Sequence, residues 1–415
     1  MLFLYDLGIR LYILFIRIAS VKNKKAQQWI NGRKDILSKI KNGIDPSVKY
    51  TWFHFASLGE FEQGRPVIEQ MKKERKDCSI VITFFSPSGY EVRKNYPLAD
   101  YVFYLPADTR ANAKAFIRLI NPDIAVFTKY EYWYHYFEEL HKQNIPLYII
   151  SGIFRKDQIF FKWYGSLHRR MLGWVSHFFV QNEISKSLMM SSGINNVTVS
   201  GDTRFDRVKY NAENPLDLPE IETFCKERKA FIAGSTWIED EKLILSLIDQ
   251  YSDWKFIIAP HEVNEKRLKE LKDLFPGSVN YSEIKNNELQ ETDPADHRIL
   301  IIDGIGILSS VYQYGTIAYI GGGFGVGIHN TLEAAAFGMP VIFGPNYTKF
   351  QEAVGLIDEG AAFSVKNPEE LSLCMSKLQE PGYLQECSLK AKDYVLGNTG
   401  ASRIFLDHLS GKGIL

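Results

Sequence analysis

Short apolar runs alternate along the chain with longer segments in which apolar residues recur at helical spacing. The first series of runs lies at 51–55, 79–85, 101–105, 123–128, 146–151, 177–181 and 197–200. Segments between them, such as 60–73, 110–120, 132–142 and 160–175, have the periodicity of amphipathic helices. Strands that are apolar throughout and alternate with helices are typical of a parallel sheet covered on both faces. The pattern predicts a doubly wound α/β domain.

A second series of the same kind follows a polar segment, 206–220, that contains two prolines. Its strands are predicted at 230–233, 254–259, 299–302, 316–320, 341–343 and 361–365, and its helices at 239–251, 262–274, 307–314, 331–337 and 349–358. The predicted organisation is an N-terminal domain 26–206, a linker 207–220, a C-terminal domain 221–395 and a helical tail 396–415. Ligands of parallel sheets bind beyond the carboxyl ends of the strands, so we expect the chemistry in a cleft between the two domains.

Residues 1–25 have a different pattern, apolar on most of a helical surface. Asp6, Arg10 and Arg17 share one narrow face, Lys24 extends it, and the basic run 22–25 follows. No apolar run reaches the roughly 18 residues that a spanning helix needs. We therefore predict an amphipathic helix that lies in an anionic membrane interface. The alternative is a helix packed on its own domain. No small-residue cleavage site follows, so we expect no cleavable signal.

Composition excludes several classes of function. The net charge of the 415 residues is zero, which gives no support to nucleic-acid binding. The four cysteines are scattered without CxxC spacing, so they predict neither a disulfide framework nor a zinc site and fit a reducing cytoplasm. No HExxH motif, no strand-end Asp-x-Asp and no G-x-S-x-G elbow is present. We expect chemistry that needs no metal ion.

Residues 321–345 read as strand end, glycine loop, helix and strand. Glycines let a ligand approach the main chain, and the helix start at Asn330 and Thr331 would offer N–H groups to a phosphate. Glu333, in the first turn, could accept hydrogen bonds from ribose hydroxyls. The spacing lacks the Lys-Ser/Thr ending of a P-loop. The alternative is an ordinary glycine turn in an α/β domain.

Polar residues at the strand ends of the N-terminal half suggest an acid–base site. Glu60 follows the first strand, where burial would raise its pKa and make it a general base; alternatively it is a first-turn glutamate that the helix dipole favours. Glu131 follows the strand 123–128 and either orients another group, holds a substrate hydroxyl or caps its own helix. Arg204 follows the last strand of this half and would neutralise a phosphate or a carboxylate, or pair with Asp202 or Asp206.

Strand ends of the C-terminal half suggest a nucleotide site. His261, after Pro260, would bind a base or a phosphate, or only cap a helix. The loop of Ile305, Gly306 and Ile307 is small enough for a base or ribose to lie against its main chain. Because several such loops fall in one half, we expect a nucleotide there and the second substrate on the other half.

With these residues in view, the chain resembles a known family over nearly its whole length. The motifs that carry the resemblance are HFASLGE at 54–60, YEYW at 130–133, GDTRFD at 201–206, APHE at 259–262, DGIGIL at 303–308 and GIHNTLEAAAFGMPVIFGP at 327–345. They resemble those of the 3-deoxy-D-manno-octulosonic acid (Kdo) transferases of lipid A biosynthesis, in the GT-B superfamily. That resemblance implies two Rossmann-like domains that face a central cleft.

The resemblance also implies roles. Glu60 would be the general base in an inverting transfer of Kdo from CMP-Kdo, without a further cofactor, to the acylated glucosamine disaccharide precursor of lipid A. Glu131 and Arg204 would support the transition state. The residues that would hold CMP are Pro260, His261, Ile305, Gly306, Ile307, Asn330, Thr331, Leu332 and Glu333. The implied location is the cytoplasmic side of the inner membrane, and no nucleic acid is expected as a partner.

Two departures from the family pattern concern the donor contacts. The family usually has a lysine at the position of Arg204 and often an arginine at that of Pro260, so one contact changes shape and one cation is absent. The alternative reading is another GT-B glycosyltransferase, or an epimerase, that uses a UDP-sugar. A two-lobed binding protein without chemistry is the rival of another class, and it would have no need of Glu60.

Overall fold

The structure, a computed structural model, describes residues 1–129, 131–289 and 293–414. The chain divides into two compact units, the first formed by residues 1–207 and 399–415 and the second by residues 208–398. The segment 207–220, predicted as a linker, contains the end of one helix, Thr203–Glu213, and the start of another, Pro219–Cys225. The tail that the sequence sets apart at 396 belongs to the first unit from Thr399 onward.

The first unit is built on seven parallel strands, with elements numbered in chain order through both units. The strands are β1 Tyr50–Phe55, β2 Ser79–Phe84, β3 Tyr101–Tyr104, β4 Pro122–Thr128, β5 Leu147–Gly152, β6 His177–Val180 and β7 Val197–Val199. The helices are α1 Leu2–Ala19, α2 Lys24–Arg33, α3 Ile36–Gly43, α4 Leu58–Glu74, α5 Pro87–Arg93, α6 Arg110–Ile120, α7 Tyr134–Lys142, α8 Ser166–Leu172, α9 Glu183–Ser191, α10 Thr203–Glu213 and, after the second unit, α20 Ala401–Gly411. Alternate residues of β1 enter different cores, Trp52 on one face and Phe53 on the other. The predicted doubly wound sheet is confirmed.

The second unit repeats the architecture. Its strands are β8 Ala230–Thr236, β9 Lys255–Pro260, β10 Val279–Asn280, β11 Ile299–Ile301, β12 Ile317–Ile320, β13 Val341–Phe343 and β14 Ala362–Ser364. Its helices are α11 Pro219–Cys225, α12 Ile238–Ile248, α13 Glu265–Leu274, α14 Tyr281–Lys285, α15 Leu308–Val311, α16 Leu332–Ala336, α17 Gln351–Asp358, α18 Pro368–Leu378 and α19 Tyr383–Gly397. The short strand β10 and helix α14 are absent from the sequence prediction, because two residues of strand carry no periodicity.

Strand order places a switch point in each sheet. The first sheet runs β3-β2-β1-β4-β5-β6-β7 and the second β10-β11-β9-β8-β12-β13-β14. Connections after β1 and β4 therefore lead away from each other, as do those after β8 and β12. A parallel sheet opens a crevice at such a point, beyond the carboxyl ends of the two strands. The loops after β1 and β4 border this crevice in the first sheet, and those after β8 and β12 border it in the second.

The N-terminal helix α1 packs on the first unit through one face. Tyr5 donates a hydrogen bond to Asp108, and the Asp6 carboxylate lies 2.6 Å from Nε2 of His135. The opposite face exposes apolar side chains, namely Phe3, Leu4, Leu7, Leu11, Leu14, Phe15 and Ile18. The predicted extension of the charged face to Lys24 is wrong, since a turn after Ala19 places that lysine at the start of α2.

No helix among the described residues has both the length and the apolar content to cross a bilayer.

The structure differs from the sequence prediction at three places. The predicted helix 160–175 is a 3₁₀ turn, Ile159–Phe161, followed by α8. The chain bends at Gly165, where a side chain would lie 1.8 Å from the Ile159 carbonyl oxygen. Helix α5, which the sequence prediction does not contain, begins at Pro87, because the Ser86 hydroxyl caps it and proline fits a first helical position. The predicted helix 331–337 has only the five residues of α16.

Candidate active site

Glu60 stands in the first turn of α4, directly after β1 at the switch point of the first sheet. Its Oε2 accepts a hydrogen bond of 2.6 Å from the Ala56 main-chain N–H. The pKa of this half-buried carboxyl is raised to about 7, mainly by burial and also by the negative charge of Glu131, against the opposing effects of the Ala56 bond and the charge of Lys129. Glu60 thus fastens the strand-end loop and also titrates near neutral pH, where a general base is most effective.

Glu131, in the loop between β4 and α7, is held by the side chains of Trp133 in the same loop and His54 on β1. Trp133 donates from Nε1 to Oε2 of Glu131 at 2.9 Å, and Nε2 of His54 lies 3.2 Å from the same oxygen. On the far side of the fully buried imidazole, Nδ1 lies 2.8 Å from the Thr83 hydroxyl. In one proton arrangement Thr83 donates to Nδ1 and the Nε2–H of His54 donates to Glu131. The Trp133 Nε1 also lies 3.2 Å from Nε2 of His54 and would donate to it in the other tautomer. Since α7 is capped at Trp133, the capping alternative for Glu131 is wrong.

Residue 130, part of the YEYW motif, lies outside the described residues. Its neighbour Lys129 adopts a left-handed backbone conformation with φ of 53°. A lysine has no steric reason to favour that region, and such strain is concentrated at functional sites. The turn after β4 therefore fits a functional role for its side chains.

Arg204 pairs with Asp202, one of the alternatives that the sequence left open. Its Nε donates to Oδ2 of Asp202 at 2.9 Å, and the largely buried aspartate also accepts from the Gln63 amide on α4 at 3.1 Å. Asp206 is engaged elsewhere, because it accepts the main-chain N–H groups of Gly400 and Ser402 at the start of α20. A role for Arg204 toward a substrate anion remains a prediction, and the Asp202 charge offsets part of its field.

The raised pKa of Glu60 makes a testable prediction. If Glu60 must be ionised to accept a proton, kcat/KM rises with pH through about 7. The neighbouring charge of Glu131 contributes to that raised pKa, so Glu131→Gln should move this limb of the pH–rate profile toward lower pH as well as reduce activity. An unchanged limb in the variant would contradict the coupling between the two carboxylates.

In the second unit, the glycine loop after β12 packs on main chain. A side chain on Gly321 would lie 2.3 Å from the Ser235 carbonyl oxygen, and one on Gly323 would lie 2.6 Å from the Gly344 backbone. Those two glycines permit backbone-to-backbone packing. Gly321 and Gly323 therefore have a structural role, and the expected approach of a ligand to this loop, where Gly325 is exposed, remains a prediction.

Asp240 on α12 holds this loop in place. Its Oδ2 accepts the main-chain N–H groups of Trp237 and Gly322, each at 2.9 Å, and its Oδ1 accepts from the Tyr319 hydroxyl at 2.8 Å. The buried carboxylate therefore ties the loop after β8 to the loop after β12. The Asp240 side chain thus connects the two loops that border the switch point of the second sheet.

The helix start at α16 is more enclosed than the sequence predicts. Asn330 accepts from the Leu332 N–H at 3.1 Å and donates to Glu333 at 3.0 Å. Thr331 and Leu332 are fully buried, and Pro260 within β9 is buried as well, so these three residues present almost no accessible surface to a ligand. Only a weak dipole arises from five helical residues, which reduces the predicted dipole contribution.

His261 belongs to a stack of three rings that sequence analysis did not assemble. Its imidazole stacks on Trp237 with ring centres 4.9 Å apart and on His329 at 4.2 Å. The indole N–H of Trp237 donates to Nε2 of His329 at 3.3 Å. Burial and the neighbouring His261 lower the pKa of His329 to about 4, so this ring is neutral and accepts that bond at neutral pH. His261 caps no helix, because Asn264 caps α13.

The loop after β11 is open to solvent. Ile305 is 88% exposed, and Gly306 is exposed with a left-handed φ of 93°. Ile307 is half-buried at the start of α15. The main chain of this loop is therefore accessible, and its contact with a base or ribose remains a prediction. The sequence signal that could have indicated the ring stack is Trp237, an aromatic residue directly after the end of β8.

The described residues contain no group of three or more histidine, cysteine, aspartate or glutamate side chains that is arranged to hold a metal ion.

Solved structures place the fold in a class. UDP-GlcNAc 2-epimerase from Neisseria meningitidis is similar with a TM-score of 0.63 and 20% identity, over 87% of this chain and 100% of that one. A glycosyltransferase from Rickettsia africae has a TM-score of 0.54 and 14% identity, over 86% of this chain and 97% of that one. Two seven-stranded parallel sheets with these neighbours define a GT-B fold.

Sequence comparison narrows the class. Residues 23–207 match the family model of 3-deoxy-D-manno-octulosonic-acid transferase. The transferases of that name from Rickettsia felis and Haemophilus influenzae are 27% and 26% identical, over 83% and 84% of this chain and 73% and 82% of theirs. A bifunctional glycosyltransferase/methyltransferase from Fusobacterium nucleatum is 27% identical over 78% of this chain, which spans about half (51%) of that protein. Residues 23–207 thus carry a Kdo transferase domain, and over most of its length the chain is similar to Kdo transferases.

Proposed function

We propose that the protein transfers Kdo from CMP-Kdo to a hydroxyl of an acylated glucosamine disaccharide, the precursor of lipid A. The observation that carries the proposal is Glu60: a carboxyl with a pKa of about 7 at the switch point of the first sheet, beside a second, firmly oriented carboxylate. The matched family segment, residues 23–207, includes both.

The reaction we propose is a single inverting displacement. Glu60 removes the proton from the acceptor hydroxyl as its oxygen attacks the anomeric carbon of Kdo. The bond between that carbon and the phosphate oxygen breaks, and CMP leaves with the electron pair. Glu131, fixed by Trp133 and His54, would orient the acceptor hydroxyl or stabilise the positive charge that develops on the sugar.

The donor is assigned to the second unit. The stacked rings of Trp237, His261 and His329 offer an aromatic surface for the cytosine base. The exposed main chain at Ile305 and Gly306 would receive the ribose, and the polar side chains of Asn330 and Glu333 its hydroxyls. We assign Arg204 to the leaving phosphate because of its positive charge and its position after the end of a strand.

Membrane association is assigned to α1. The helix is fastened to the first unit through Tyr5 and Asp6, and it turns a row of apolar side chains outward. A helix with this division lies in the interface of a bilayer without crossing it. An acylated acceptor is delivered from the same surface, and we place the protein on the cytoplasmic side of the inner membrane.

The purified protein tests the proposal with two donors. We expect turnover with CMP-Kdo and an acylated glucosamine disaccharide, no turnover with UDP-GlcNAc, and the same rate after EDTA treatment, because we assign no step to a metal. Turnover of UDP-GlcNAc alone would instead favour an epimerase. Loss of activity with EDTA, restored by a divalent ion, would contradict the metal-free reaction.

A further inference from the structure

A cavity of about 450 Å³ lies in the first unit outside the candidate active site. It is lined by α1, by the segment from α2 into α3, and by the loop that precedes α6. Three basic side chains, Arg17, Arg33 and Lys34, line it against one carboxylate, Asp35, among the described residues. The lining therefore carries a positive excess.

Arg33 is a largely enclosed cation whose partners are neutral. Its Nε donates to the Leu105 carbonyl at 2.8 Å, its Nη2 donates to the Phe85 carbonyl at 2.7 Å, and the guanidinium lies 3.8 Å from the ring centre of Trp29. Within the described parts of the chain, neither Arg33 nor the two other basic side chains of the cavity forms a salt bridge. Burial lowers the pKa of Arg33 to about 9, which records the unfavourable environment of an uncompensated charge.

Trp29 supplies an independent sign of a missing ligand. The side chain lines the same cavity and is 5% exposed, and its indole N–H is buried without a hydrogen-bond partner among the described residues. Buried donors are nearly always satisfied, and an unmade bond is unfavourable. An acceptor oxygen that reaches the indole edge of Trp29 from the cavity would satisfy this N–H and would lie near the guanidinium of Arg33, which contacts the same ring.

We propose that this cavity binds the phosphoryl group of a phosphorylated amphiphile that lies along α1. A phosphoryl group provides negative charge and several acceptor oxygens, the combination that arginine and an orphan N–H recognise. The volume suits a head group and excludes a whole lipid. Arg17 lines the cavity, and the next residue, Ile18, lies on the exposed apolar face of α1. A head group in the cavity would therefore be next to the surface on which its apolar chains lie.

The cavity also adjoins the candidate active site through a wall of rings. Trp29 contacts Phe85 with ring centres 5.9 Å apart, Phe85 stacks on Trp133 at 4.8 Å, and Trp133 donates to Glu131. The proposal rests on the proposed function in one respect only, the inference that the amphiphile is the acceptor of transfer. Binding itself is measured without a donor.

Flotation of the full-length protein with vesicles tests the binding. The probes are phosphatidylcholine vesicles with and without phosphatidic acid, which carries a phosphomonoester, and inorganic phosphate as a competitor. We expect Trp29→Phe, and separately the pair Arg17→Gln and Lys34→Gln, to weaken binding to the phosphatidic acid vesicles about tenfold. Lys39→Gln with Lys41→Gln, on exposed positions of α3 outside the cavity, is the matched control and should leave binding unchanged.

Three results would overturn the proposal. An equal loss in the α3 control would show attraction to a charged surface without a site. Unchanged binding of Trp29→Phe would remove the indole from the site. Variant-dependent binding of inorganic phosphate, with no preference for phosphatidic acid vesicles, would assign the cavity to a free anion. If binding follows the variants as expected while the protein transfers no Kdo, the cavity stands and the proposed function falls.

Discussion

Glu60→Gln should abolish transfer while leaving the protein folded and able to bind CMP-Kdo. The substitution keeps the size of the side chain and removes its ability to accept a proton. A positioned general base contributes about 10²- to 10⁴-fold to rate, so kcat should fall by roughly that factor. Steady-state kinetics with saturating donor, together with calorimetric titration of CMP-Kdo, separate the two effects.

A matched variant and a stability measurement distinguish the loss of a base from the loss of folding. Glu74→Gln, at the other end of α4, should retain activity, because the Glu74 side chain makes surface contacts, with Arg403 and Gln70, far along α4 from Glu60. The pKa of Glu60 rises from 4.5 to about 7 on folding, so the folded protein binds a proton in that window and the wild type loses stability as pH rises through it. Glutamine avoids that loss. The variant should therefore be at least as stable as the wild type above pH 7. If the variant does not fold, the pH–rate profile of the wild type tests whether Glu60 is the base.

Replacing three exposed apolar residues of α1 by glutamine should release the protein from membranes. Leu4, Phe15 and Ile18 are each more than 60% exposed on the outer face of the helix. Each apolar side chain that enters a bilayer interface stabilises binding by about 1.5 kcal/mol, so the three together contribute about 4.5 kcal/mol, or about 2,000-fold in partitioning. Sedimentation with vesicles of anionic lipid measures the change.

The control for α1 uses equally exposed residues elsewhere. Ile184→Gln, Leu373→Gln and Leu389→Gln together change the same kind of surface on α9, α18 and α19 and should leave partitioning unchanged. Point substitutions are preferable to removal of the helix, because Asp108 and His135 bond to Tyr5 and Asp6. If both triple variants partition like the wild type, α1 is a structural helix and the membrane assignment is wrong.

Local pattern was enough to predict the alternation of strands and helices and the strand-end positions of Glu60 and Glu131. The strands are buried on both faces, and their unbroken apolar runs are recognisable one at a time. Strand order was beyond such reasoning. That β1 neighbours β4, and β8 neighbours β12, depends on how separate βαβ units pair, and no single window of sequence encodes it.

The same limit explains the residues that sequence reasoning missed. His54 reads as a strand residue, and its contact with Glu131 exists only because β1 and β4 are adjacent. Asp240 reads as one of three acids at a helix start, yet it reaches Gly322 across 82 positions. The glycines at 321 and 323 were interpreted for a ligand because sequence does not show which main chain comes close. In each of these cases the role of the residue depends on a contact with a residue far away in the sequence.

Mass spectrometry of the lipid product tests the central claim most directly. The wild-type protein, incubated with CMP-Kdo and the acylated glucosamine disaccharide, should yield lipid heavier by one or more Kdo residues, with a matching amount of CMP. Glu60→Gln under the same conditions should yield unmodified lipid. Unmodified lipid from the wild type, or a Kdo-bearing product formed equally well by the variant, would contradict the claim that Glu60 activates the acceptor for Kdo transfer.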